Sequence, residues 1–196
     1  MRARALSQAI SEGDGISVLV PVRTIDEARA AEAQGAEGIV LHAPLDDVRA
    51  ATSLPVLWGE EGSLDGAHRA EADACLLAVE HYGDDGDALA RLHAEAEQLG
   101  LECVIDVRHE GELELALERL DPEIFLLSER GSDETDDPIG HVLDLLPDVP
   151  AGKLAIAQVA IDSREQVVAL ERAGIDAVIV PPGDVAALVG GSPPEV

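Results

Sequence analysis

One structural unit occurs near both ends of the chain: an amphipathic helix, a glycine, and then a short run of Ile, Val and Leu. The first copy covers residues 24–41 and the second covers residues 163–180. Thr24 and Ser163 stand where a helix N-cap is expected, and Gly35 and Gly174 stand where a helix ends. Each copy therefore predicts a capped helix followed by a buried β-strand.

Six further apolar runs complete a regular series, at residues 16–22, 56–58, 74–79, 103–107, 124–127 and 154–161. Nearly all of these runs are continuously apolar rather than alternating, which is typical of parallel strands buried on both faces. Strands of this kind, eight in all and alternating with helices, predict an α/β fold, a compact (β/α)8 TIM barrel. An open doubly wound sheet is the alternative that the same pattern allows.

The chain is expected to form one domain over residues 1–196, because no linker, low-complexity segment or charge block divides it. Residues 131–138 have the polar, turn-forming composition of a surface loop, which could also serve as a lid. Residues 190–196 are rich in Gly and Pro and are predicted to form a frayed tail.

The chain is strongly acidic, with 40 acidic residues against 13 basic ones and a formal net charge of −27. This charge repels phosphate backbones and anionic lipids, so nucleic acids and membranes are not expected partners. No apolar stretch is long enough to span a bilayer, and the start of the chain has no signal-like apolar core, so a cytoplasmic protein is expected. Cys75 and Cys103 lie inside predicted strands and are interpreted as core residues.

The residues that follow each strand are the candidates for function, because barrels of this class place their sites there. Asp106 is the most informative, since it interrupts the apolar run 103–107 at a position expected to point into the barrel mouth. Burying a carboxylate requires a partner. Arg108 or Arg130 could provide a structural salt bridge, so catalytic and structural roles both remain open. The other candidates are Arg23, His42, Trp58, Arg108, Ser128 and Gln158, with Gly183 and Asp184 after the last strand.

A metal site is a separate possibility, because a set of imidazole and carboxylate side chains could converge at one rim, namely His42, Glu60, Glu61, Glu80, His81, Asp106 and His109. No ligand spacing of a recognised kind is present, and adjacent residues such as Glu80 and His81 on a strand point to opposite faces. We therefore predict neither a metal nor a cofactor. Trp58 lies at a strand end, where it fits a core position as well as a ligand contact.

Several segments resemble the indole-3-glycerol-phosphate synthase family of ribulose-phosphate-binding barrels, namely residues 54–57, 71–77, 99–107 and 112–117, and more weakly 124–130 and 174–177. The resemblance implies a carbon–carbon lyase of tryptophan biosynthesis. It decarboxylates a carboxyphenylamino-deoxyribulose phosphate while closing the pyrrole ring. The family's reaction uses a lysine general acid, a glutamate general base and a phosphate site on the last two βα loops.

The resemblance carries functional roles onto a few positions of this chain. Asp106 falls at the family's fifth-strand glutamate, Arg130 matches its arginine after the sixth strand, and Ser128 stands at an asparagine position. Arg23 could replace the first-strand lysine, although a guanidinium stays protonated and is a poor general acid.

Other positions depart from the family. Gly59 occupies the third-strand lysine position and Gln158 the seventh-strand glutamate position. Residues 181–182 are two prolines, which have no N–H to donate to phosphate. Gly183 and Asp184 could still open a short helix, but the Asp184 carboxylate would repel a phosphate there.

These observations leave three functions open. The first is a divergent phosphosugar-binding barrel with Asp106 as general base and Arg130 or Arg23 as anion contacts. The second is a non-catalytic barrel, a pseudoenzyme or scaffold that binds a ligand or a partner. The third is a phosphosugar isomerase or aldolase of the same superfamily. The isomerase is disfavoured because the cysteine that it needs at the first strand is absent. The aldolase is disfavoured because it needs a Schiff-base lysine at the mouth, whereas Lys153 precedes the seventh strand. The expected partner is a small anionic phosphosugar, and the sequence leaves a homo-oligomer possible.

Overall fold

The computed structural model describes residues 5–13, 15–60, 64–83, 85–129, 137–183 and 185–189, and these form a closed barrel of eight parallel strands in the order β1 to β8. Closure rests on the pairing of β1 with β8, which excludes the open doubly wound sheet and confirms the predicted TIM barrel. The strands are β1 Ser17–Pro21, β2 Gly38–Leu41, β3 Val56–Trp58, β4 Ala74–Ala78, β5 Glu102–Val107, β6 Ile124–Ser128, β7 Leu154–Gln158 and β8 Ala177–Ile179.

Helices α1 to α9 cover the barrel. They are α1 Leu6–Ser11, α2 Ile25–Ala33, α3 Val48–Ala51, α4 Leu64–Arg69, α5 Gly86–Gln98, α6 Glu110–Arg119, α7 Pro138–Leu145, α8 Arg164–Ala173 and α9 Val185–Val189, with short 3-10 turns at Val79–His81 and Leu146–Asp148. No helix in the described part of the chain has the length and apolarity needed to cross a bilayer. The predicted loop at 131–138, apart from its last two residues, and the predicted tail at 190–196 lie outside the described residues.

Local capping fixes the two repeated units as predicted. Thr24 and Ser163 each accept a hydrogen bond from the backbone N–H three residues later, and the side chains of Glu27 and Gln166 return the contact to the cap. After these helices, Gly35 has φ +88° and Gly174 has φ +105°. These left-handed conformations favour glycine, so the helix stops are encoded locally.

The seventh strand is shorter than its apolar run. It ends at Gln158, whereas the run was predicted to continue as strand to residue 161. Val159 and Ile161 are nevertheless buried, because they pack in the layer between barrel and helices. The apolar run is therefore longer than the strand, because Val159 and Ile161 are buried although they form no strand pairing.

Strand residues alternate between two apolar layers. One layer fills the barrel and includes Leu19, Leu57, Leu76, Leu126 and Ile156. Helix α1 completes this inner layer, since Leu6 and Ile10 belong to it and are only 0% and 4% exposed. The outer layer lies between the strands and the surrounding helices. The barrel is therefore filled by side chains and is not a channel.

Three acidic residues bind the starts of neighbouring strands in the same way. Just before β2, β4 and β8, the carboxylates of Glu37, Asp73 and Asp176 accept hydrogen bonds at 2.8 Å from the backbone N–H of Val18, Val56 and Ala155 respectively. Each acidic residue also donates its own N–H to the carbonyl of that same partner, at 2.9 Å. These reciprocal pairs satisfy backbone groups at the N-terminal ends of the strands, the end opposite to the candidate site.

Candidate functional site

The carboxyl ends of the strands place four polar side chains in one layer above the apolar interior. Asp106, Ser128, Gln158 and His42 each follow an inner-layer residue by two positions, and they belong to the face that points into the barrel. The corresponding strand positions Pro21 and Ala78 carry no polar group. Gly59 and Pro181 are the equivalent positions after β3 and β8 and also carry no polar side chain, so the mouth is polar at four of eight positions, and those four were selected from the sequence.

Asp106 is held by a neighbouring strand. Its Oδ1 accepts a hydrogen bond of 2.5 Å from Ser128 Oγ, and the two residues are 3% and 0% exposed. A short O–H···O⁻ bond of this kind is among the stronger hydrogen bonds of proteins, and it compensates part of the cost of burying the carboxylate. The position of Asp106 at the mouth agrees with the expectation from sequence, whereas Ser128 was not anticipated as its partner. A catalytic role for Asp106 stays a prediction.

His42 and Gly59 form a second contact at the mouth, between β2 and β3. The Nδ1 atom of His42 lies 3.2 Å from the carbonyl oxygen of Gly59. A Cβ atom at position 59 would lie 2.7 Å from His42 Cε1 and 2.9 Å from Val40 Cγ1. The imidazole therefore occupies the space into which any side chain at position 59 would project, including the family's lysine.

Between these polar groups lies a narrow cavity. It is lined by Val40, His42, Leu57, Gly59, Leu76, Leu126, Gln158 and Ile179, and it has room for about one water molecule. The floor is apolar, while His42 and Gln158 form its polar edge. A larger ligand would therefore sit above the floor, against the polar layer.

Arg108 lies close to the mouth, but its guanidinium has two carboxylate partners. It contacts Glu80 Oε2, and it lies 2.6 Å from Glu112 Oε1. The hydrogen bond that Arg108 donates to Glu112 raises the pKa of Arg108, burial opposes the shift, and the hydrogen bond to Glu80 adds to it. The side chains of Arg108 and Glu112 are only 12% and 8% exposed, so the pair is largely buried. The predicted contact of Arg108 with a substrate would have to compete with this structural ion triad.

Trp58 takes the core position, one of the two roles that the sequence left open for it. Its side chain belongs to the apolar layer between the strands and the helices and is 3% exposed, so it points away from the mouth. The core role is the one that its placement supports. Within the part of the chain that the structure describes, its Nε1 is buried without a hydrogen-bond partner.

The remaining cationic candidates are less well placed. Arg23 is exposed at the rim after β1, and its backbone N–H donates to Glu27 at 2.6 Å. Arg130 lies outside the described residues. Lys153 lies just before β7, at the opposite end of the barrel, where it contacts Asp121 and Glu123 at 2.7 and 3.2 Å. A Schiff base formed by this lysine at the mouth is therefore excluded, since Lys153 is the chain's single lysine.

In the described part of the segment after β8, the first N–H of helix α9 is directed at helix α2. Gly183 is exposed, and Asp184 lies outside the described residues. The first N–H of α9, on Val185, donates to the side chain of Gln34 at 3.0 Å. Gln34 is the C-cap of α2 and belongs to the outer helical layer. The predicted phosphate contact at Gly183 and Asp184 stays a prediction, although the Val185 N–H is bonded to Gln34.

A wider groove lies outside the barrel, between the turn at Val79–His81 and helix α6. It has a volume of about 490 Å³ and includes Glu80, Glu114, Glu118 and Leu115 in its walls. Arg108 also lines the groove, but it is paired with Glu80 and Glu112, so the carboxylates of the walls make the groove a poor site for an anion. Among the described residues, no group of three or more His, Cys, Asp or Glu side chains could hold a metal ion together.

Besides the hydrogen bond from Ser128 to Asp106, sequence reasoning missed two further contacts that shape the site. The packing of the His42 ring against Gly59, in the space that a side chain at position 59 would fill, was not predicted. A glycine directly after a buried strand does indicate that a neighbouring group approaches the backbone closely. The hydrogen bond from the Val185 N–H to the Gln34 side chain joins residues 151 positions apart, and no local sequence pattern predicts it.

Comparison with known proteins agrees with this architecture. The family model of indole-3-glycerol phosphate synthase matches residues 42–183. An indole-3-glycerol phosphate synthase from Geobacillus sp. (strain WCH70) is 28% identical over 140 residues, which cover 69% of this chain and 54% of that protein. The chain thus spans about half the length of this curated relative.

A solved structure shares the fold over nearly the full length of both chains. It is the N-acetylmannosamine-6-phosphate 2-epimerase from Clostridium perfringens, with a TM-score of 0.72 and 14% sequence identity, and the match covers 95% of this chain and 93% of that one. At this identity the likeness concerns the fold alone. The family match covers well over half of the sequence, and the chain therefore belongs to the indole-3-glycerol phosphate synthase family.

Proposed function

We propose that this protein binds a small phosphosugar-like ligand at the barrel mouth and does not carry out the ring closure typical of its family. The observation that carries the proposal is the buried pair of Asp106 and Ser128, 2.5 Å apart at the mouth. A carboxylate that is 3% exposed is costly in a fold whose interior is otherwise filled by apolar side chains. Its retention there supports a role in contacting a polar ligand.

The absence of ring closure is argued from the groups that the reaction needs. The resemblance implies a lysine general acid at the third strand, where this chain has Gly59 and the His42 ring fills the space above it. A lost proton donor of this kind reduces a rate by roughly two to four powers of ten. The phosphate site is weakened as well, because residues 181–182 are prolines and the Val185 N–H is bonded to Gln34.

A non-catalytic ligand-binding barrel is therefore the form of this proposal that the chemistry favours. A phosphosugar isomerase or epimerase is the second candidate. One observation supports it: the mouth carries both a carboxylate, Asp106, and an imidazole, His42, and such groups can accept and donate protons. An aldolase that uses a lysine is not proposed, because Lys153 lies at the other end of the barrel.

Calorimetric titration tests the binding proposal. The protein is titrated with carboxyphenylamino-deoxyribulose phosphate, with ribose 5-phosphate and with inorganic phosphate at moderate salt. We expect saturable heat with at least one of the two sugar phosphates, and a loss of about tenfold or more in affinity in Asp106→Ala, since hydrogen bonds to charged groups contribute about 1.5–3 kcal/mol. Asp144→Ala is the matched control, because Asp144 is exposed on α7 away from the mouth. Its affinity should equal that of the unmodified protein.

The absence of catalysis is tested in the same preparations. Indole-glycerol phosphate formation, followed by fluorescence, should stay at the background rate with saturating carboxyphenylamino-deoxyribulose phosphate. No heat with any ligand up to millimolar concentration would refute the binding proposal. Turnover that Asp106→Ala abolishes would refute the non-catalytic part and assign the chain the family's reaction.

A further inference from the structure

The contact between His42 and Gly59 determines which imidazole nitrogen carries the proton. A backbone carbonyl oxygen can only accept a hydrogen bond, so the Nδ1 atom that lies 3.2 Å from it must be the donor. In the neutral ring, Nε2 is then an acceptor with a free lone pair. Within the described ranges of the chain, His42 has no other hydrogen-bond partner.

Gly59 is needed for this arrangement. The smallest side chain, a single Cβ, would lie 2.7 Å from His42 Cε1 and 3.0 Å from Nδ1. Real Cβ contacts are not this short, so the ring would have to leave its place and the hydrogen bond would break. Gly59 therefore leaves room for the ring, and its carbonyl oxygen accepts the hydrogen bond of the ring's N–H.

The ring is held at the edge of the mouth cavity, where Gln158 also lies. The Asp106 carboxylate, which belongs to the same layer, is an acceptor too, and Ser128 already donates its hydroxyl hydrogen to it. In this four-residue layer His42 Nε2 and the Asp106 carboxylate are acceptors and the Ser128 hydroxyl hydrogen is already donated, so the layer offers mostly acceptors, with the side-chain amide of Gln158 as its remaining donor group. It is suited to a ligand group that brings its own donors, such as the hydroxyls of a sugar.

We propose that His42 is a ligand-contacting residue, held by Gly59 in the tautomer that presents Nε2 as an acceptor to a hydroxyl group of the ligand. This inference rests on the proposed function and deepens it, because it orients the ligand. The polyhydroxyl part faces His42 and Asp106, and the phosphate stays at the rim.

Nitrogen-15 NMR of labelled histidine tests the tautomer without any ligand. The chain has six histidines, and His42→Gln identifies the signal by its loss. At an alkaline pH, where the imidazole is neutral, long-range proton–nitrogen correlations should show the Nδ1–H form of His42 in the unmodified protein. In Gly59→Ala the clash should displace the ring and shift the signal toward the Nε2–H form.

Binding tests the second half of the inference. Ribose 5-phosphate should shift the Nε2 resonance of His42, whereas inorganic phosphate should not. His42→Ala creates no clash and should weaken ribose 5-phosphate about five- to tenfold, the effect of one lost hydrogen bond of about 1 kcal/mol. His42→Gln offers an amide oxygen at a similar reach and should retain most of the affinity.

The outcomes separate the two proposals. An Nε2–H form in the unmodified protein, or a tautomer unchanged in a folded Gly59→Ala, overturns the inference whatever the protein binds. A sugar phosphate that binds in an Asp106-dependent way but leaves both the His42 signal and the His42→Ala affinity unaltered also overturns it, while the proposed function stands. If the Nδ1–H form is found and no sugar phosphate binds, both the ligand contact and the proposed function fail.

Discussion

Replacing Asp73 with alanine should destabilise the barrel at the end opposite to the candidate site. The Asp73 carboxylate accepts the N–H of Val56 at 2.8 Å and a guanidinium N–H of Arg49 at 2.6 Å. Val56 is completely buried, so its N–H would lose its acceptor without access to bulk water. Arg49 would keep its bonds to the carbonyls of Leu54 and Glu71.

The expected loss follows from these two contacts. A hydrogen bond to a charged acceptor contributes about 1.5–3 kcal/mol, and the ion pair with Arg49, whose partners are each about one-fifth exposed, adds up to about 1 kcal/mol. We therefore expect Asp73→Ala to lose about 2–3 kcal/mol of unfolding free energy. For a chain of this size that lowers Tm by roughly 4–12 °C.

Urea denaturation followed by far-UV circular dichroism measures the change. Asp73→Asn retains an amide oxygen as acceptor and should lose about half as much, whereas Asp144→Ala at an exposed site should change stability by less than about 0.5 kcal/mol. The midpoint should move without a change in slope. An Asp73→Ala variant as stable as Asp144→Ala would refute the assignment of these reciprocal acid–backbone pairs as stabilising elements.

Three further predictions concern other contacts. Glu112→Ala should lose about 3 kcal/mol in urea denaturation, because it breaks a largely buried pair with Arg108, while Glu114→Ala on the exposed face of the same helix should be nearly neutral. The Ser53 hydroxyl lowers the pKa of Glu32 from its ordinary value of 4.5, so this stabilisation is present above that value and disappears as the pH falls through the folded pKa. Ser53→Ala should therefore be less stable than the unmodified protein at neutral pH and equally stable in acid; a constant difference across that range would contradict the assignment. Both cysteines are buried, and the hydrogen bond with Cys75 and burial raise the pKa of the Cys103 thiol, so burial should keep an aromatic disulfide reagent from either cysteine within minutes in the native protein, while both should react in urea.

Much of the candidate site could be predicted from the sequence, because local patterns encode it. Asp106 interrupts a run of apolar residues, and in a parallel barrel such a polar residue near the strand's carboxyl end faces the mouth. Ser128, Gln158 and His42 follow their strands in the same way, and all four lie in one layer. The roles of these residues do not follow from position, since the same carboxylate can bind a ligand or satisfy a structural partner.

Arg108 and Trp58 show where position in the sequence is insufficient. Both follow or end an apolar run, as the mouth residues do. Trp58 faces the outer layer because it is one residue, not two, after the inner-layer Leu57. Arg108 turns to Glu112, one helical turn further along the chain, and to Glu80 from a different βα unit. In a continuously apolar strand no alternation of residue types marks which face is which.

The sequence by itself determined the eightfold alternation, the capped helices and the acidic surface, because each depends on residues close together in the chain or on composition alone. Only the tertiary structure decided four other features. They are the closure of the barrel, the hydrogen bond from Ser128 to Asp106, the hydrogen bond from the Val185 N–H to Gln34, and the position of the His42 ring against Gly59. These contacts join different strands and helices, and their geometry is set by the register that all eight strands adopt when they pack around one interior.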